Sequence, residues 1–136
     1  MKRVSALDEV DAKVSVFDRA EQLQAAAASV GFDWPDLAAV QDKLHEEVAE
    51  LAAALQSGDS AAIEDEAGDV LFALINLLRK AGLNPASALA STNGKFTRRF
   101  QAMEQAAWSE GSDLSREPLA RQLARYRLAK AECLDH

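Results

Sequence analysis

From residue 37 to residue 80 apolar side chains return every three or four positions, and one interruption, Ser57-Gly58-Asp59-Ser60, divides the run. That period belongs to an α-helix with one buried stripe. At the break, the glycine suits a left-handed C-terminal cap and the aspartate a new N-cap. The stretch is therefore predicted to fold as two long helices side by side, antiparallel because the connection is so short.

Turn signals divide the rest of the chain in the same way. A first helix is expected over about residues 12–30, ended by Gly31. Trp34-Pro35-Asp36 opens the second, with Pro35 at its first position, and Ser57 ends it. Asp59 or Ser60 caps the third, which runs to Ala81 and stops at Gly82. Asn84-Pro85 opens a fourth, continuing to about Trp108; after SEGSDLS, Ser115 caps a shorter fifth that ends near Cys133. Nothing reads as a strand pair. Composition agrees: 49% of the 136 residues are hydrophobic, Ala and Leu above all, and only 6% are aromatic. The expectation is an all-α fold in a single domain, 1–136. Residues 1–11 read as a flexible N-terminus, 12–110 as core helices and 115–133 as a C-terminal helix.

Several classes of function are excluded. A formal net charge of −7 is the reverse of a nucleic-acid binder's basic footprint. One cysteine, Cys133, allows neither an internal disulfide nor a zinc-finger site, and fits a cytoplasmic setting. No apolar run is long enough to span a bilayer, the N-terminus does not read as a signal peptide, and no P-loop pattern is present.

The chemistry concentrates in HEEVAE and EDEAGD, where carboxylates cluster despite the repulsion between like charges three or four apart. On the second helix Leu37, Val40, Leu44, Val48, Leu51 and Leu55 form the apolar stripe. Glu47 falls about 60° from its centre and Glu50 about 120°, with Glu46 further towards solvent. On the third helix Ile63, Val70, Leu71, Leu74, Leu77 and Leu78 form the apolar face, flanked by Glu66 and Asp69, with Asn76 and Lys80 near the direction of Asp69. If the two flanks face each other, four carboxylates converge. In a half-dry place they must protonate, pair with bases or bind cations. Hard oxygen donors select Mg²⁺ or Mn²⁺. The plainer alternative is a solvated acidic edge satisfied by surface bases.

In STNGKFTRRFQAM, Phe96, Phe100 and Met103 share a stripe with Leu89 and read as core. Lys95 and Arg99 flank that stripe, where they would suit an anionic substrate beside a metal or form ordinary salt bridges. Asn76 is either a buried amide satisfied by backbone or a ligand contact. Phe32 reads as a hydrophobic staple, and Trp34 as either a staple or part of a base-stacking wall. His45 and His136 read as surface residues.

HEEVAEL (45–51), EDEAGDVLFALINLLRKAG (64–82) and NGKFTRRF (93–100), preceded by GFDW (31–34), together resemble the MazG family of all-α nucleoside triphosphate pyrophosphohydrolases. The pattern E-E-x-x-E, a spacer, then E-x-x-D is met by Glu46, Glu47, Glu50, Glu66 and Asp69. The likeness covers residues 17–108, continues more loosely to about 131, and is closest to the C-terminal catalytic domain of two-domain members. It implies a four- to five-helix bundle whose core is completed by homodimerisation. It also implies hydrolysis of a (d)NTP between the α and β phosphates, releasing the monophosphate and pyrophosphate. By the same resemblance, Glu47, Glu50, Glu66 and Asp69 would be Mg²⁺ ligands, with Mn²⁺ a possible substitute. Glu46 would join the metal shell or orient the attacking water, making Glu46 and Glu47 the catalytic pair. Lys95 and Arg99 would hold the triphosphate. Tyr126, where Trp is usual, and Lys130 would lie near the nucleotide, supplied by either chain of the dimer. Gly94 departs from the family's usual charged residue. Related phosphoribosyl-ATP or dUTP/dCTP hydrolases and a non-catalytic helical module are the competing readings. The acidic motifs do not separate removal of non-standard nucleotides from control of nucleotide pools.

Overall fold

A computed structural model of the chain describes residues 2–132. The elements are α1 (Val16–Ser29), α2 (Leu37–Ser57), α3 (Ser60–Lys80), α4 (Pro85–Ser109), a 3-10 turn (Leu114–Arg116) and α5 (Leu119–Glu132). No strand occurs among the described residues, so the fold is all-α. The expected helix end at Cys133, and His136, lie outside those residues. Two compact units divide the chain, one up to Ala86 and the other from Ser87.

Side-chain caps set the starts of the first unit's helices. Ser15 Oγ accepts from the Asp18 N–H at 3.2 Å, so α1 begins later than residue 12. Asp36 Oδ1 accepts from the Ala39 N–H at 2.9 Å and caps α2, which leaves Pro35 just before the cap and not at the first helical position. Asp59 Oδ1 accepts from the Ala61 N–H at 3.0 Å and caps α3. Between α2 and α3, Gly58 takes φ 71°, the left-handed conformation that only glycine adopts without strain. The helices therefore form a hairpin joined by two residues, and α1 packs on α3.

The hairpin's seam differs from the stripe drawn on apolar spacing. The buried positions of α2 are Val40, Glu47 and Ala54, one heptad apart; on α3 they are Ala73 and Ile75. Val40 is 0% exposed, a burial that stabilises by about 1.5–3 kcal/mol. Leu37, Val48 and Leu55, expected inside, are exposed, as are Leu71 and Leu74. Glu47 thus stands in the centre of the seam and not at its border. The reason is geometric: α2 is apolar over a wider arc than its contact with α3 can cover.

In the second unit Met103, Ala107, Leu114 and Ala129 form the core, with Tyr126 partly packed against it. Phe96, Phe100 and Leu89, expected in the core, are exposed, and the two phenyl rings stack on each other at 5.8 Å. Asp113, not Ser115, is the cap here: it accepts from the Ser115 N–H at 2.9 Å and starts the 3-10 turn, after which α5 begins at Leu119. Buried Arg125 ties α5 to this connection, donating Nε to Glu117 at 2.7 Å and Nη2 to Glu110. Its guanidinium holds both carboxyls below their usual range.

Candidate metal centre and adjoining cavity

Glu47 and Asp69 stand equally far along the chain from Gly58, one before it and one after, so the hairpin brings them to the same height. Glu66, one turn nearer the connection than Asp69, completes the group. Carboxylate oxygens of Glu47, Glu66 and Asp69 all lie within 4.8 Å of one another. Glu47 is only 5% exposed, Glu66 is half-buried and Asp69 is exposed. The site therefore has a dry floor and a wet mouth.

Two oxygens at that floor, Glu47 Oε2 and Glu66 Oε2, are buried without a hydrogen-bond partner. Buried acceptors in that condition destabilise a fold unless something is meant to meet them. The other Glu47 oxygen, Oε1, takes a 2.8 Å contact from Lys43 Nζ, whose hydrogen bond holds the Glu47 carboxyl below its usual range. Glu66 has no such base. Burial first, then the charge and hydrogen bonding of Glu50 and the charges of Glu47 and Asp69, push its carboxyl upward. Glu50, itself exposed, is thus close enough to act on Glu66. Glu46 is exposed and lies 3.7 Å from Lys43. An all-oxygen donor set with two orphaned buried oxygens fits a hard divalent cation.

Further along α3 the first unit encloses a cavity of about 490 Å³. Its walls include Phe32, Trp34, Phe72, Gln24 and Asn76. Phe32 is therefore not a staple, because it lines the cavity and is 81% exposed. Asn76 Oδ1 accepts from Arg79 Nη2 at 2.7 Å, and the same nitrogen donates to Asp33 Oδ1 at 2.6 Å. Lys80, one helical turn beyond Asn76, contacts Asp33 Oδ2 at 3.3 Å. The Arg79 hydrogen bond is the main cause holding the Asp33 carboxyl down at about 2. The loop that carries GFDW is thereby latched to α3.

In the second unit, Arg99 Nη1 contacts Tyr126 Oη at 3.3 Å, with the guanidinium 6.0 Å from the ring centre. Lys95 is half-buried and Lys130 exposed.

Four residues of these sites escaped the reading of the sequence: Lys43, Gln24, Asp33 and Arg79. Lys43 had a usable signal, its i,i+4 spacing to Glu47. Arg79 sits at i+3 from Asn76, but its link to Asp33 crosses between elements and leaves no local trace.

The MazG nucleotide pyrophosphohydrolase domain model matches residues 36–103, which include all the carboxylates of the cluster. The chain is 38% identical over 113 residues to the nucleoside triphosphate pyrophosphohydrolase of Escherichia coli K12, covering 82% of this chain and 43% of that protein. It is 36% identical over 118 residues to the nucleoside triphosphate pyrophosphohydrolase/pyrophosphatase MazG of Thermotoga maritima, covering 87% of this chain and 45% of that one. It thus spans less than half the length of these curated relatives. With a matched segment that contains both halves of the carboxylate cluster, the chain belongs to the MazG nucleotide pyrophosphohydrolase domain family.

Proposed function

We propose that the chain hydrolyses nucleoside triphosphates, ribo- or deoxyribo-, to the monophosphate and pyrophosphate with Mg²⁺ bound at the acidic cluster. One observation carries the reading: Glu47, Glu66 and Asp69 converge, the two glutamates each with a buried, unpartnered oxygen, on a hairpin matched by this family. Glu47, Glu50, Glu66 and Asp69 would hold the ion, and Mn²⁺ has the same donor preference. When bound, Mg²⁺ would offset phosphate charge and favour ionisation of a nearby water. Glu46, exposed and one residue before Glu47, would orient a water and accept its proton. Buried Glu47 fixes the floor and keeps it anionic, Lys43 acting as counter-charge. Lys95 and Arg99 supply cations for the triphosphate, and Tyr126 and Lys130 contacts to the nucleoside. Trp34 and Asn76 contact the substrate from the cavity wall.

The active form is a homodimer working in the cytoplasm. The exposed apolar side chains of Leu37, Val48, Leu55, Leu71 and Leu74 support this, since a second copy would cover them. No helix among the described residues is long and apolar enough to cross a membrane. The test is pyrophosphate release from a panel of NTPs and dNTPs, with Mg²⁺ and with EDTA, alongside size measurement by light scattering. Metal-dependent release that disappears in Glu47→Gln and Asp69→Asn is expected. No release from any nucleotide by folded protein sinks the hydrolase reading, and a strict monomer sinks the dimer.

A further inference from the structure

The aromatic cavity of the first unit contains one polar side chain whose state its packing does not explain. Gln24, on α1, is 5% exposed. Its amide donates Nε2–H to the Phe72 carbonyl at 2.9 Å. A carbonyl can only accept, so this contact fixes which end of the amide is which. The other end, Oε1, is therefore a carbonyl oxygen, and it is buried with no hydrogen-bond partner. Leu or Met would fill the same space without stranding an acceptor. Arg79 Nε, on a residue lining the same cavity, is a buried donor without a partner. Around them stand the rings of Phe32, Trp34 and Phe72.

We propose that this cavity takes the nucleobase of the substrate, and that Gln24 is a specificity-determining residue whose Oε1 accepts a hydrogen bond from a base N–H. A base has two flat apolar faces for the rings and an edge that carries both donors and acceptors. The volume of about 490 Å³ lies in the range of small-molecule sites. The position along α3 also fits. Phe72 and Asn76 lie about 5 and 10 Å beyond Asp69 along the helix axis, a span comparable to the ribose between an α-phosphate and its base. The inference rests on reading the acidic cluster as the place of the phosphates.

Bases that lack any N–H provide the test. Calorimetry in EDTA compares AMP with purine riboside monophosphate, and CMP with pyrimidin-2-one riboside monophosphate. Each pair has the same ring and phosphate and differs in the N–H donor. Wild-type protein is expected to bind the donor-bearing member at least tenfold more tightly. Gln24→Leu, checked for folding by circular dichroism, is expected to bind both members alike. Equal binding by the wild-type protein, binding of none of the four, or unchanged discrimination in Gln24→Leu overturns the proposal. Because no metal is present, the outcome does not depend on turnover. Base discrimination without pyrophosphate release would leave Gln24 in its role and remove the hydrolase. Release without discrimination would do the opposite.

Discussion

Replacing Asp33 by Asn should loosen the latch between the GFDW loop and α3 and change how stability depends on pH. The carboxylate takes a 2.6 Å hydrogen bond from Arg79 Nη2 and a 3.3 Å contact from Lys80 Nζ. Its pKa of about 2, against an ordinary 3.8, corresponds by linkage to at most about 2.5 kcal/mol. The Asp33 side chain is 24% exposed, so solvent screening reduces this to about 1 kcal/mol. The folded pKa is depressed, so the contribution is complete above the unfolded value and lost as pH falls towards about 2. Urea titrations followed by circular dichroism at several pH values measure it. At pH 7, Asp33→Asn should lower the midpoint by about 0.5 M. By pH 3 roughly half of the difference should be gone. No difference at pH 7, or one of the same size at pH 3, would show that the latch does not hold the loop.

Glu66→Gln should raise the melting temperature of metal-free protein at neutral pH, because ionised Glu66 opposes folding, and should abolish the upward shift that Mg²⁺ gives the wild-type protein. Calorimetric Mg²⁺ titrations should weaken as pH falls, since protons then compete for the Glu66 oxygen, whose carboxyl burial pushes upward; affinity that stays constant down to pH 4.5, the ordinary value above which it is raised, would exclude Glu66 as a ligand. Lys43→Met removes a cation 2.8 Å from Glu47 and should move the same titration to lower Mg²⁺ concentration. Gly68→Ala meets nothing within 4 Å of its new Cβ and should stabilise α3 by about 0.5–1 kcal/mol in thermal melts. Arg125→Met would strand Glu117 beneath α5 and should lower the melting temperature more than Arg121→Met, whose partner Glu110 is exposed.

Helix number and order were legible because caps and breakers act locally: Asp36, Asp59, Gly58 and Gly82 each stand at the end of a periodic run. Pairing of the two acidic motifs was legible too, since a two-residue connection leaves α2 and α3 one way to meet. Where the seam runs was not. Periodicity locates an apolar arc, and on α2 the arc includes Val48 and Leu55, which remain exposed. Only side-chain packing selects Val40, Glu47 and Ala54 from it. Gln24 was invisible for a different reason. Next to a run of alanines and two residues from Gln22, this glutamine reads as solvent-facing, and its partner, the Phe72 carbonyl, belongs to backbone far along the chain.

Placing Glu47 where a leucine would pack better sets durability against chemistry at one position. Substituting Leu for that carboxylate would give a sturdier hairpin and, on the proposed mechanism, a dead enzyme. A lineage released from the need to process nucleotides would therefore drift readily to an apolar residue at 47. Its inert descendants should outlast the working protein in any heat challenge.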